Sequence, residues 1–278
     1  MRLAPVVAAL ALALLVPGGA GAAVSVHSET RTFQGWTVTL DVTLDGADGY
    51  ASVTGLRLRA VRGGRTLVDR RVPLPVPCRT VGCEVLDTSV SLFELRRLAG
   101  SAPSAVIWLW TGGAHCCSVA QVVPLAGGAV VAKDFGNAGA SIRRTGGAPV
   151  FFSTDDRFAY LFTSYAASGR PVRLWRLRGE RFVDVTASYP GVVGADAREW
   201  WQAVERLVAE REEVRGAFAA WAVNACRLGD RDRVARAAWR LAGRAAFSSP
   251  GTEDIGPRGR RYVTALMRTL DRWGYCQT

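Results

Sequence analysis

Hydrophobic and polar positions alternate in short runs along the first two thirds of the chain, as they do in half-buried β-strands. Residues 36–44 alternate with period two, which places every second side chain on one face of a sheet. Residues 56–61 and 66–69 flank a glycine-rich turn, the pattern of a β-hairpin. Further strands are predicted at 106–110, 119–125, 130–133, 150–153, 160–163, 172–177 and 182–185. Residues 23–190 are therefore predicted to form an antiparallel β-rich domain with blade-like or sandwich sheets.

After Pro190 the apolar residues recur every three to four positions, which is typical of amphipathic helices. Asp196, with Glu199 three residues later, predicts a capping pair at the start of the first helix. The apolar stripes are Trp200, Trp201, Val204, Leu207 and Val208; Val214, Phe218, Trp221, Ala222 and Ala225; Val234, Ala238 and Leu241; and Tyr262, Leu266, Leu270 and Trp273. Residues 191–278 are predicted to form a C-terminal bundle of about four helices. The expected fold class is α+β.

A weak internal repeat relates residues 106–125 to the segment that begins at Val150, with 160–163 as its second strand. The offset of about 44 residues is close to the length of a propeller blade. Two such units cannot close a propeller, so we expect a compact β-domain with blade-like sheets.

The first 22 residues have the features of a secretory signal peptide. Arg2 precedes an apolar run from Leu3 to Val16, and Ala20-Gly21-Ala22 is a small-residue cleavage site. The run is shorter than the roughly 20 apolar residues that span a bilayer. We expect cleavage after Ala22, a secreted or extracytoplasmic product, and no transmembrane segment in the mature chain.

The formal net charge of +11 raises the question of a nucleic acid or an anionic surface as partner. Lys133 is the only lysine, so nearly all the positive charge is arginine, and the arginines are dispersed among acidic residues. A chain rich in arginine, alanine and glycine is also what a GC-rich genome produces. We therefore do not favour nucleic acid, and the arginine content is either functional or a genomic bias.

Six cysteines in an exported chain favour disulfides. The simplest pairing joins neighbours in sequence: Cys78–Cys83, Cys116–Cys117 and Cys226–Cys276. The rival pairing ties the 78–83 loop to the 116–117 pair by two bridges. A zinc site that combines His115 with the first four cysteines is the competing interpretation, which an oxidising compartment disfavours. We expect no metal and no other cofactor.

Three central segments carry a recognisable pattern. They are Trp110-Thr111-Gly112-Gly113-Ala114-His115-Cys116-Cys117; Phe135-Gly136-Asn137-Ala138-Gly139; and Asp155-Asp156-Arg157-Phe158-Ala159-Tyr160 with Thr163-Ser164-Tyr165-Ala166-Ala167-Ser168-Gly169. Together they resemble a group of secreted actinobacterial proteins of uncharacterised function, over about residues 85–278. The resemblance implies secretion and a β-repeat fold with a helical tail, and it implies no activity.

In that group, acidic loops similar to the calcium-binding loops of FG-GAP (integrin-like) repeats often precede such strands. The corresponding positions here, residues 98–104 and 144–149, contain no carboxylate. Calcium takes six to eight oxygen ligands, mostly carboxylates. We therefore expect a degenerate member that keeps the scaffold and does not bind calcium in these loops.

The candidate binding residues are aromatic and polar side chains of this central region: Trp108, Trp110, His115, Asp155, Asp156 and Tyr165. A rigid, disulfide-bearing turn among aromatic residues could present a surface to an envelope component or a glycan, although the aromatic residues could equally fill the core. Asp155-Asp156 is the best carboxylate pair for acid/base chemistry, but adjacent residues on a strand face opposite ways. No residue is assigned as catalytic.

The predicted function is a secreted, disulfide-containing, non-enzymatic binding or structural module. The alternative is an extracytoplasmic hydrolase that uses the region of His115, Asp155 and Asp156.

Overall fold

A computed structural model describes residues 24–46, 51–84, 91–112, 116–248 and 256–276. The predicted signal peptide with its cleavage site and His115 lie outside these ranges. The described residues form three four-stranded antiparallel sheets and five α-helices, so the protein belongs to the α+β class.

The first sheet is a meander in which each strand pairs with the next along the chain. The period-two pattern of residues 36–44 is confirmed, because the apolar side chains of the second strand are buried in alternation with the polar ones. Gln34-Gly35 and Gly63-Gly64 turn two of the hairpins with positive φ at both positions, as a tight two-residue hairpin loop requires. The strands are β1 (Val24–Phe33), β2 (Trp36–Asp45), β3 (Ser52–Arg62) and β4 (Arg65–Arg71).

The second sheet follows a short helix that the sequence pattern did not predict, α1 (Val76–Val81). Its strands, again in sequential order, are β5 (Phe93–Arg96), β6 (Ser104–Trp110), β7 (Ser118–Pro124) and β8 (Val131–Asp134). β7 is buried along nearly its whole length, including the polar Ser118 and Gln121 between its apolar residues. Side chains of both sheets, among them Leu40, Leu58 and Phe93, share one hydrophobic core.

The third sheet has the strand order β12-β11-β10-β9. Its strands are β9 (Ala140–Thr145), β10 (Ala148–Thr154), β11 (Val172–Arg178) and β12 (Arg181–Asp184). The predicted strand at 160–163 is wrong, since these residues form turns and Tyr160 has a φ of 60°. The second copy of the proposed internal repeat, which begins at Val150, therefore lacks its expected second strand at residues 160–163.

Four long helices follow: α2 (Pro190–Glu210), α3 (Arg215–Arg227), α4 (Arg231–Gly243) and α5 (Gly259–Arg272). The predicted cap at Asp196 is wrong, because α2 begins at Pro190, and proline is well suited to a first helical position. α3 is buried on all sides from Arg215 to Cys226, so it is the central helix of its core. None of the helices in the described ranges is both long and apolar enough to cross a membrane.

The chain forms two compact units. Of the described residues, the first unit contains those from 24 to 140 with 144–149 and 177–182, and the second contains 141–143, 150–176 and those from 183 to 276. The change from strands to helices falls at Pro190, whereas the second unit also includes most of β10 and β11. Its core combines aromatic residues of the helices, such as Phe218, Phe247 and Tyr262.

Candidate functional site

In the first unit, two candidate tryptophans lie on β6 and are only partly buried. The Trp108 indole Nε1 donates to Glu94 Oε1 at 3.2 Å, and its ring centroid lies 6.3 Å from that of Phe135. Trp110 is held by its backbone, which exchanges hydrogen bonds of 2.7 and 3.0 Å with Glu84. The Trp108 ring is thus held by Glu94 and Phe135, and part of each tryptophan side chain remains accessible.

The segment after β6 is closed by hydrogen bonds between Thr111 and Cys117. The Thr111 N–H donates to the Cys117 carbonyl at 3.0 Å, and the Cys117 N–H donates to Thr111 Oγ1 at 2.8 Å. Gly112 has a φ of 76°, which a glycine adopts without strain.

All described cysteines are in disulfides, and the three bridges are the neighbour pairs Cys78–Cys83, Cys116–Cys117 and Cys226–Cys276. Across the described ranges, no group of three or more His, Cys, Asp or Glu side chains is placed to hold a metal ion.

In the second unit, Asp155 lies at the end of β10 with its carboxylate fully buried. Arg157 binds it with both ends of its guanidinium group, from Nε to Oδ1 and from Nη2 to Oδ2, each at 2.9 Å. The Tyr275 hydroxyl donates to Oδ2. Two more guanidinium groups approach the same oxygen, Arg173 at 3.6 Å and Arg227 at 3.9 Å. One carboxylate thus joins β10, β11, α3 and the segment after α5.

This environment keeps Asp155 ionised. Burial alone raises the pKa of its carboxyl group, but hydrogen bonds from Arg157 and Tyr275 and the positive charge of Arg173 outweigh burial, so the pKa lies below its usual value. Burial and the negative charge of Asp155 raise the pKa of Tyr275, so the phenol stays protonated and donates. Neither group is poised to exchange a proton near neutral pH.

A second group of side chains lies beside it in the loop between β10 and β11. Tyr160 is 44% exposed, and its ring centroid is 5.4 Å from that of the partly exposed Tyr165. The Arg170 guanidinium lies over the Tyr165 ring, 4.9 Å from the centroid, and donates to the Tyr165 hydroxyl. Asp156 Oδ1 is 3.6 Å from Arg170 Nη1. We call Asp156, Tyr160, Tyr165 and Arg170 the tyrosine platform.

The backbone under the platform is strained and firmly held. Tyr160 adopts the left-handed region, which is rare for a bulky residue. Ser168 fixes it, because its Oγ accepts from the Tyr160 N–H at 3.0 Å and donates to the Ser164 carbonyl at 2.9 Å. Gly169 packs so closely on Gly216 of α3 that a Cβ at Gly169 would lie 2.3 Å from the Gly216 carbonyl oxygen. The loop is thereby anchored to the central helix.

The predicted site residues therefore divide between the two units: Trp108 and Trp110 lie in the first, and Asp155, Asp156 and Tyr165 lie in the second. Within the second unit, Asp156 and Tyr165 are brought together through Arg170, while Asp155 faces inward. The sequence placed Tyr160 among the aromatic residues of this region but predicted a strand for it, and it gave no indication of Arg170 or of most partners of Asp155. A signal was present for one partner of Asp155 only, since Arg157 is two residues from Asp155.

Part of this chain is similar in sequence to a known protein. No protein-family model matches it, and no solved structure matches it. A protein of Synechocystis sp. described as a probable thylakoid lumen protein is 32% identical over 139 residues, which are 47% of this chain and 41% of that protein. The chain thus spans about two fifths of the length of this relative, whose description names the thylakoid lumen.

Proposed function

We propose that this protein is an extracytoplasmic, disulfide-containing, non-enzymatic binding module, and that the tyrosine platform binds a glycan of the cell envelope. The observation that carries the proposal is Tyr160: an exposed ring on a backbone held in a strained conformation. Such strain persists only where the surroundings over-determine it, and it concentrates at functional sites.

The chemistry of the platform suits a sugar. Two tyrosine rings at 5.4 Å offer flat apolar faces for the C–H faces of a pyranose, at a low cost in side-chain entropy. Arg170 supplies donors beside those rings, and the Asp156 side chain, which is 29% exposed, supplies an acceptor for a hydroxyl group.

The state of Asp155 supports the proposal of a non-enzymatic role. The Asp155 carboxylate is buried, ionised and surrounded by hydrogen-bond donors of the protein itself. It is therefore not available to accept a proton from a substrate or to donate one. Hydrolysis by general acid catalysis needs a carboxyl group whose pKa is raised towards neutrality, and the pKa of Asp155 is lowered.

The extracytoplasmic location is supported by three independent features. Residues 1–22 have the composition of a cleavable signal peptide, with cleavage after Ala22. All described cysteines are oxidised, and a relative is described as a thylakoid lumen protein. We further propose kinship with the secreted actinobacterial group and with degenerate FG-GAP-like repeats, which three sheets of sequential four-stranded order support.

The test is a binding measurement on intact envelope glycan. The purified mature protein is incubated with peptidoglycan sacculi and the bound fraction is measured by sedimentation, with calorimetry on soluble fragments. Tyr160→Ala should weaken binding at least ten-fold, equivalent to about 1.4 kcal/mol. Trp239→Ala is the matched control, because Trp239 is 48% exposed on α4, away from the platform residues in sequence.

Equal binding by the wild-type protein and Tyr160→Ala would refute the platform as the binding surface. Release of soluble fragments by the wild-type protein, abolished in Asp156→Asn, would instead show a hydrolase.

A further inference from the structure

The last two helices carry an unusual concentration of exposed positive charge. α4 and α5 together contain eight arginines and two aspartates, and all eight arginines are exposed. They are Arg231, Arg233, Arg236, Arg240, Arg260, Arg261, Arg268 and Arg272. The longer helix α2 contains two arginines, Arg198 and Arg206, and four carboxylates. A genomic preference for arginine does not explain this contrast, since it would act on every exposed helix.

Among the residues that the structure describes, most of this charge is not neutralised by an ion pair. Arg231 pairs with Asp271 at 3.0 Å, and Arg233 with Asp230 at 3.6 Å. The other six have no carboxylate within ion-pair distance among the residues that the structure describes: Arg236, Arg240, Arg260, Arg261, Arg268 and Arg272.

Several of these positions disfavour the helices themselves. Arg260 and Arg261 lie in the first turn of α5, where the positive end of the helix dipole opposes a cation and no acidic residue is present. Arg236 and Arg240 are four residues apart on α4, as are Arg268 and Arg272 on α5, and like charges at this spacing repel. The arrangement is unfavourable for helix stability alone, so it points to an anionic partner.

The two helices form one antiparallel pair. Arg231 at the start of α4 contacts Asp271 near the end of α5. At the other end, the Phe247 ring, which follows α4, lies 4.6 Å from the Tyr262 ring in the first turns of α5. Trp239, 48% exposed, lies three residues after Arg236 and next to Arg240 on α4.

We propose that this helix pair is a docking surface for an anionic lipid bilayer, with the arginines on headgroup phosphates and Trp239 at the boundary of the acyl region. Arginine binds phosphate through paired N–H donors. Tryptophan has an apolar body and one N–H donor, and it partitions to the bilayer interface. A soluble phosphate polymer provides no apolar layer for the Trp239 ring, so the observations favour the bilayer.

The expected strength is that of a reversible peripheral contact. Each arginine close to an anionic membrane raises the partition coefficient about five-fold, and the effect fades beyond a Debye length of about 8–10 Å. Several arginines and one tryptophan therefore hold the protein at low ionic strength and release it at high salt.

The test uses the mature full-length protein and vesicles of phosphatidylglycerol mixed with phosphatidylcholine, or of phosphatidylcholine alone. Cosedimentation should show binding to the mixed vesicles only, reversed by salt. Arg260→Gln with Arg261→Gln should lower the partition coefficient about thirty-fold without lowering the melting temperature, because both positions oppose the helix dipole. Arg198→Gln with Arg206→Gln on α2 is the matched control and should bind as the wild-type protein does.

A second measurement reports on the tryptophan. Brominated lipids in the mixed vesicles should quench part of the protein fluorescence, and Trp239→Phe should abolish that quenching. Tyr160→Ala should leave vesicle binding unchanged. The vesicle measurements therefore test this surface independently of the tyrosine platform.

Three results would overturn the proposal. The first is equal binding to the mixed vesicles and to vesicles of phosphatidylcholine alone, and the second is an unchanged partition coefficient in the variant with Arg260→Gln and Arg261→Gln. The third is that soluble polyphosphate displaces the protein from the mixed vesicles while Trp239→Ala binds them as strongly as the wild type. The last would identify a phosphate polymer as the ligand.

Discussion

Replacing Asp155 by asparagine tests whether this residue holds the second unit together. The substitution keeps the shape and one acceptor oxygen but removes the negative charge that faces Arg157, Arg173 and Arg227. Three guanidinium groups would then surround a neutral amide, and one amide NH₂ group would point at donors.

The magnitude follows from the exposure of these partners. Removing one partner of a buried ion pair costs about 3–5 kcal/mol, because the other charge stays buried and uncompensated. The Arg157 side chain is 43% exposed and can turn towards water, whereas that of Arg227 is only 10% exposed. We therefore expect the lower end, about 3 kcal/mol, or a melting temperature about 6–12 °C lower.

The assay is urea and thermal unfolding followed by circular dichroism, with Asp156→Asn as the neighbouring control. The Asp156 side chain is 29% exposed and has one ion pair at 3.6 Å, so its loss should cost less than about 1 kcal/mol. The pH dependence adds a signature. Because the pKa of Asp155 is lowered on folding, its contribution is present above the unfolded pKa of about 3.9 and is lost as the pH falls through the folded pKa.

The difference in unfolding free energy between the wild type and Asp155→Asn should therefore become smaller at acid pH. A loss below about 1 kcal/mol at neutral pH, or a gap that stays constant down to acid pH, would refute the structural role assigned to this carboxylate.

Three further predictions concern the same unit. Cys226→Ser opens the bridge to Cys276 across a separation of 50 residues and should lower the unfolding free energy by roughly 3–4 kcal/mol; an unchanged urea curve would contradict it. Burial raises the pKa of Asp196, so the folded state loses stability as the pH rises through that pKa and the carboxyl group becomes charged. Asp196→Asn stays neutral, so its melting temperature should be higher than that of the wild type at pH ~8 and equal to it at pH ~3. Gly216→Ala would place a Cβ 2.0 Å from a carbonyl oxygen and should cost more than about 1 kcal/mol. Gly191→Ala, with nothing within 4 Å, should be neutral or stabilising by up to about 1 kcal/mol in the same melts.

Periodic segments of this fold could be predicted because their burial is set locally. Along β2 every second side chain from Trp36 is buried, so the alternation in the sequence is the alternation in the sheet. The stripe through Val214, Phe218 and Trp221 likewise marks buried positions of α3 and its cap.

Predictions failed where a distant contact decides the local conformation. Residues 160–163 have strong β propensity, but the Ser168 hydroxyl holds Tyr160 in a left-handed turn. Asp196 has the spacing of a helix cap, yet its carboxylate accepts from the Val172 N–H and the Asn224 amide, 24 and 28 residues away. The sequence pattern around Asp196 does not indicate hydrogen-bond partners this far away in the chain.

The hydrogen bond from Tyr275 to Asp155 spans 120 positions along the chain, and this has a consequence for the order of assembly. At about 5–20 residues per second, a ribosome needs roughly 6–24 s to pass from one residue to the other. Throughout that interval Asp155 lacks the phenol that donates to its buried carboxylate, and from its own synthesis onward Cys226 waits for the thiol of Cys276, 50 residues later. The first unit receives most of its residues earlier, so we expect its core to form first, and the second unit cannot be completed before Tyr275 and Cys276 have been made.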